Sequence, residues 1–336
     1  MKIYITAHSS INPLSELTDN HLPTQVIPSK EIRLSCKEPE YKSYIQDAGI
    51  RRRMSRVVKM GVAAAMQCLS LTDKQPDAII TATGLGCVSD TEKFLNNIIE
   101  NDEQLLNPTP FIQSTFNTVG AQTAIGLKNT NYNMTYVHRN FSFESALLDA
   151  MIKIYDKEGD NILAGSYEET TDSSFAIMDR LGFWRGGVPC GEGAHFFMLS
   201  KNQLSNIIFK DVATISSNDS EIIRGKLTSF LQKNDITIEE IDTFISGKIG
   251  NNKAVPYYHS IENLFTDSNL ITYKHFLGDY QTVSAAALWL AVKCISQNFI
   301  PSYLIEKNRN RTINKILIYN NFQGQNHSFI IVEKEK

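Results

Sequence analysis

Apolar residues fall along this chain in two alternating rhythms. Short contiguous apolar or β-branched runs, each closed by a glycine or a polar turn, predict strands at 2–6 (KIYIT), 78–83 (AIITAT), 161–166 (NILAGS), 194–199 (AHFFML), 243–246, 316–319 and 328–332. Between them, apolar positions recur at helical spacing and predict helices over 55–69, 89–100, 114–127, 220–232, 255–264 and 281–296. Ser89, with Glu92 three residues on, reads as an N-cap and capping box. Pro108-Thr109-Pro110 reads as a stop, 8–54 as irregular and 272–280 as a loop. The helices at 114–127 and 281–296 are built from small residues and lack a polar face. Helices apolar all round must be covered on both sides. The expected architecture is therefore α/β in five layers, αβαβα, with two pseudo-repeated halves at 1–205 and 206–336.

One stretch stands out chemically. Residues 132–150 read as a buried strand (Met134–Val137), a tight polar turn and a helix from about Asn140. A strand–turn–helix junction exposes one side chain beside unpaired helix N–H groups and the positive end of the helix dipole. Many enzymes mount a nucleophile in that setting.

Composition narrows the field. The chain has 336 residues, 42% hydrophobic and 21% charged, with a net charge of −3. That balance gives no electrostatic basis for binding nucleic acid or an anionic membrane. The longest apolar run, Val283–Cys294, is too short to span a bilayer. The opening MKIYITAHSS runs straight into a strand and lacks the apolar core of a signal peptide. Five scattered cysteines with no CxxC pair fit a reduced, cytoplasmic location without structural zinc. His138, His195, His259 and His275 lack metal-ligand spacing, so neither metal nor cofactor is expected. Arg51-Arg52-Arg53 reads as a solvated face or as a docking patch for an acidic partner.

Several motifs, taken in order, resemble the β-ketoacyl synthase (condensing enzyme) family of the thiolase fold. Thr83-Gly84-Leu85-Gly86 is similar to the family's TGLG turn, and Asn117–Ile125 to the helix entering its nucleophile region. Ala164–Glu168 is similar to its AGG-x-E strand end, and Gly191-Glu192-Gly193-Ala194 to its GEGA. Lys274–Ala285 (KHFLGDYQTVSA) is similar to its K-x-x-x-G-H loop. The resemblance covers most of the chain and implies a thiolase-like fold.

It also implies a chemistry. A cysteine at the helix N-terminus takes the acyl chain as a thioester, two histidines stabilise the enolate left by malonyl decarboxylation, and a lysine supports them. Carried over, the cysteine position falls on Asn140, the first histidine on Lys248 and the second on Asp279, while the lysine survives as Lys274. Asn140 cannot hold a thioester.

The expectation is a degenerate member resembling a chain-length factor, paired with a competent ketosynthase and an acyl carrier protein in polyketide, aryl-polyene or fatty-acid-type synthesis. Such a chain is inactive alone. One alternative is a divergent 3-oxoacyl synthase or acyltransferase using Ser142 or Cys190. Ser142 lacks the flanking glycines of a nucleophile elbow. A second alternative is a homodimeric module that binds acyl or carrier-protein groups. Cys87 reads as a buried structural thiol.

Overall fold

The computed structural model describes residues 1–250 and 253–335. The first part of the chain runs β1 (Ile3–Ile11), α1 (Ala48–Arg53), α2 (Arg56–Ser70), β2 (Ala78–Ala82), α3 (Val88–Glu100), α4 (Pro108–Gln113), α5 (Thr118–Leu127), β3 (Tyr132–Tyr136), α6 (Ser142–Tyr155), β4 (Asn161–Glu168), α7 (Asp172–Arg180) and β5 (Gly193–Ser200). It continues through β6 (Ile207–Ser216), α8 (Ser220–Lys233), β7 (Thr243–Ser246), α9 (Val255–Glu262), β8 (Asn269–Thr272), α10 (Lys274–Leu277), α11 (Ser284–Gln297), β9 (Ile305–Lys307), β10 (Lys315–Phe322) and β11 (Asn326–Lys334).

The strands join in the order β3-β2-β4-β5-β1-β6-β11-β10-β7-β8-β9. Outward from the β1–β6 junction, each side repeats one plan. The first strand of the side meets its last, antiparallel partner (β1 with β5, β6 with β11), then come parallel strands (β4, β2, β3 and β10, β7, β8). Strand β9 adds an antiparallel edge beyond β8.

Helices α6 and α11 form the middle layer. α11 packs on β10 and β11 from one side and on β5 and β1 from the other, while α6 packs on β2 and β4 and also on β6. Outside lie α2 and α5 on one sheet half and α8 and α9 on the other. The result is the five-layer αβαβα thiolase-like arrangement. The largest apolar cluster fills the middle layer, with Phe143, Phe197, Trp289 and Ile318 among its members.

Four local expectations are corrected. Segment 114–127 is not a central helix. Its helical part, α5, lies on the outside against α2, where a Cβ on Gly61 would come within 2.6 Å of Val119, and it leaves Ile125 61% exposed. Its small residues serve that close approach, and the buried helix of the first half is α6. Strand β3 is not buried, because it is a sheet edge paired only with β2, and Met134 and Val137 are exposed. Pro108 starts α4 instead of stopping the chain: it sits in the first turn, where its missing N–H costs nothing, and Asn107 caps Thr109 N–H. Ser89 lies inside α3, and its N–H is met by Glu169 from 80 residues away. A local capping pattern cannot anticipate an acceptor from another strand.

Candidate functional site

The strand–turn–helix junction is present. After β3 the chain makes one 3₁₀ turn, Arg139–Phe141, and enters α6. Arg139 takes φ +51°, the left-handed region that a non-glycine residue adopts only when held there. Ser142 holds it. Its Oγ accepts the His138 N–H at 2.8 Å, and its hydroxyl proton faces the carbonyls of Arg139 (2.6 Å) and Thr83 (2.9 Å). With 0% exposure, Ser142 ties the turn to the end of β2 and presents nothing to solvent. Asn140 is 5% exposed, and its Oδ1 accepts from Asn326 Nδ2 at 3.1 Å. That bond crosses from the α6 mount to β11, so the carboxamide is a tie between the two halves of the sheet.

Lys248 and Asp279 are also engaged in pairs. Lys248 follows β7, and its ammonium contacts Glu262 at 2.9 Å and Glu306 at 2.8 Å. Burial pulls its pKa down, but the two carboxylates outweigh that and the net shift is upward, so it stays charged. Lys274 is 1% exposed and pairs with Asp279 at 2.8 Å. Lys274 and Asp279 therefore neutralise each other. Asp279 is placed by Gly278 (φ +74°), whose backbone lies against Gly191. A Cβ on Gly191 would come within 2.3 Å of Leu277 O, and one on Gly278 within 2.4 Å of Gly191 Cα. Glycine at both positions is what lets the GEGA segment touch the Lys274–Asp279 loop.

Cys190 is 1% exposed, and burial pushes its thiol up to about 11. Its sulfur lies 3.3 Å from Thr170 Oγ1. A thiol so placed is protonated at neutral pH and is a poor nucleophile.

Glu192, the GEGA carboxylate, holds the fold together. It accepts from Arg56 through both oxygens (2.7 and 2.5 Å) and from the Cys36 and Thr170 N–H groups. Burial pushes its pKa up, but Arg56 and the two N–H donors overcome that, and the net shift is downward. A carboxyl depressed in the folded state gives stability that is present above its ordinary pKa and lost as pH falls. We expect Arg56→Ala to lower unfolding stability at pH 7 by about 3 kcal/mol, the low end for a broken buried pair because Arg56 is one-third exposed. The deficit should shrink in urea titrations below pH 4, where Glu192 can take a proton.

The TGLG turn is anchored by Glu168, whose Oε1 accepts from Gly84 N–H and Thr83 Oγ1 and whose Oε2 accepts from Leu85 N–H. Burial raises its pKa to about 8, against those donors. Glu169, capping α3, is raised by burial to about 7. Both line a cleft that opens to solvent, together with Asp279, Gln281 and a wall of aromatic rings from α7 and its following turn. His195 is fully buried between Ser10 (2.8 Å) and Tyr280 (2.7 Å), and burial lowers it to about 3, so it is neutral.

The burial of two groups here was not read from the sequence. Glu144, fully buried in the first turn of α6, has no hydrogen-bond partner for either oxygen. Burial pushes it up, partly offset by the nearby Ser328 and Ser284 hydroxyls. Gln281 presents an unpartnered buried Oε1 at the cleft. The signal for Glu144 was a charged residue at a position of α6 that must face the middle layer. His138, His259 and His275 are exposed. No cluster of three potential metal ligands occurs among the described residues. Arg51 folds back on Gln46 O at 3.2 Å, whereas Arg52 and Arg53 are exposed at the end of α1.

The family described as beta-ketoacyl synthase, N-terminal domain, matches residues 37–216. The ishigamide ketosynthase/chain length factor superposes with TM-score 0.81 at 16% identity, covering 100% of this chain and 99% of that one. A chain from the complex of ketosynthase ApeO with its chain length factor ApeC, from Xenorhabdus doucetiae, gives 0.77 at 14%, covering 99% and 98%. One from AntDE:AntF, a type II PKS acyl-carrier protein in complex with its ketosynthase bound to the hexaketide, gives 0.78 at 13%, covering 99% of each. No curated protein sequence matches the chain. No helix among the described residues is long and apolar enough to cross a membrane.

Proposed function

The chain belongs to the β-ketoacyl synthase family, and from that premise we propose that it is a ketosynthase-like subunit without condensing activity of its own, of the chain-length-factor kind. One observation carries the reading. All three family positions are spent on internal contacts: Asn140 on Asn326, Lys248 on Glu262 and Glu306, and Asp279 on Lys274. Condensation needs a thiolate at the first and neutral hydrogen-bond donors at the other two, aimed at a developing enolate. A carboxamide, a doubly paired ammonium and a carboxylate supply none of these. Ser142 and Cys190, buried and bonded within the fold, offer no substitute.

The proposal includes a competent ketosynthase as partner and an acyl carrier protein as the bearer of the chain. The unpaired edge of β3 supports the first. It carries neither Lys nor Pro, exposes Met134, and adjoins the exposed Val137. Exposed Arg52 and Arg53 support the second, since carrier proteins present acidic faces. The division into halves at 205/206 belongs to the same reading and is supported by the matching strand order on either side of the β5–β6 connection.

The test is condensation of acyl and malonyl thioesters, followed by intact mass. The protein alone is expected to give no product and no covalent adduct. Asn140→Cys is expected to give no product either, because the histidine positions remain Lys248 and Asp279. Product should form only when the chain co-purifies with a ketosynthase that carries cysteine and both histidines. Condensation, or an acyl adduct at any residue, by the unmodified chain alone would sink the reading, and co-purification only with itself would favour the homodimeric module.

A further inference from the structure

We propose that the cleft in front of α7 binds a small ligand bearing a protonated amine on an aromatic or apolar body. Three features of the cleft carry this; it is lined by Asp279 but by neither Asn140 nor Lys248, and ligand binding is read separately from condensation.

The first is its wall. Phe175 and Trp184 lie nearly parallel, with ring centroids 6.0 Å apart and planes 9° apart, and Phe183 tilts against Trp184 at 59°. Stacked and tilted rings give ring faces to an apolar body, and the face of an indole attracts a cation.

The second is the sign of its polar groups. The cleft is lined by Glu168, Glu169 and Asp279, and none of its described lining residues is Lys, Arg or His. Lys274 compensates Asp279 from behind, within the buried pair, which leaves Glu169 beside the cleft with one oxygen committed to Ser89 N–H.

The third is an unmet acceptor. Gln281 is 93% buried by its 7% exposure, and its Oε1 has no donor. A buried acceptor without a partner is costly, and a ligand N–H would relieve it. An ammonium offers several N–H donors and a positive charge together, which a neutral alcohol or an anion does not. Burial keeps Glu168 mostly protonated and Glu169 about half protonated near neutrality when no cation is present. An arriving ammonium favours the ionised form, so binding should expel a proton to the buffer.

The experiment compares three probes of one shape on the full chain: 2-phenylethylammonium, 2-phenylethanol and phenylacetate. It uses titration calorimetry in buffers of different ionisation enthalpy, with tryptophan fluorescence as a second readout. The amine is expected to bind roughly tenfold more tightly than the alcohol, the anion not at all, and proton release to accompany the amine only. Trp184→Leu and Gln281→Leu should each erase the preference for the amine over the alcohol. Equal binding of amine and alcohol, tighter binding of the anion, or no saturation by the amine at millimolar concentration overturns the proposal. The wild-type comparison decides even if a variant fails to fold. Neither outcome bears on the condensation assay, so the two readings fail separately.

Discussion

Asp279→Ala is expected to unfold at a clearly lower urea concentration than the parent, a loss of about 3–5 kcal/mol. The substitution removes the only carboxylate ion-paired with Lys274 among the described residues and leaves a 1%-exposed ammonium in the interior. The cost comes from the stranded charge and not from a large intrinsic value of the pair, because both ions were desolvated to form it. The double variant Lys274→Met, Asp279→Ala is therefore expected to recover most of the loss, since an apolar pair of similar volume needs no compensation. A double-mutant cycle in urea checks this. If the double variant is as unstable as Asp279→Ala alone, the loop itself and not the ion pair holds the segment. The same loop carries Gly278 against Gly191, so its loss would loosen the wall of the cleft as well.

The second large effect is one of pH. Glu168 and Glu169 are raised by burial to about 8 and about 7, against an ordinary value near 4.5. The folded protein thus keeps two protons that the unfolded chain releases above that ordinary value. Stability from these groups is full below about pH 4.5 and is lost as pH rises through about 7 and then about 8. Each group contributes a slope of about 1.4 kcal/mol per pH unit inside its window. Glu144, raised by burial in the middle layer, acts in the same direction, and Glu192 acts in the opposite one at low pH. Urea midpoints should fall between pH 5 and 8.5. Glu168→Gln keeps an oxygen for the Gly84 N–H and should flatten that fall by on the order of a few kcal/mol across the window. A midpoint that rises over this range in the parent would mean both carboxyls are ionised in the fold.

Much of the architecture was legible from periodicity. Burial of α11 followed from its largely apolar content, interrupted only by Ser284 and Lys293 between Val283 and Cys294, and a helix without a polar face forced a middle layer. The same logic misfired at 114–127, because small residues serve two ends, burial on all sides or close approach on one. Only the position of Val119 against Gly61 distinguishes them. The family motifs were legible because glycine patterns report backbone approach, as at Gly191 and Gly278. The partners of the residues within those motifs were not. Glu192 reaching Arg56 across 136 residues, or Glu169 capping a helix 80 residues away, leaves no mark at either sequence position.

By itself the sequence determined which side chains stand at positions 140, 248 and 279. Asn140, Lys248 and Asp279 lack the chemistry of thiol and imidazole whatever surrounds them. It also determined the α/β layering, since periodicity and glycine placement act locally along the chain. The tertiary structure alone decided what those side chains do. Asn140 became a tie to Asn326, Asp279 the partner of Lys274, and Lys248 the bridge of two carboxylates. It alone also placed three acidic side chains and an unmet amide oxygen around one aromatic cleft. Pairing and burial depend on which distant segments the fold brings within a few ångströms, and no single stretch of sequence carries that distance.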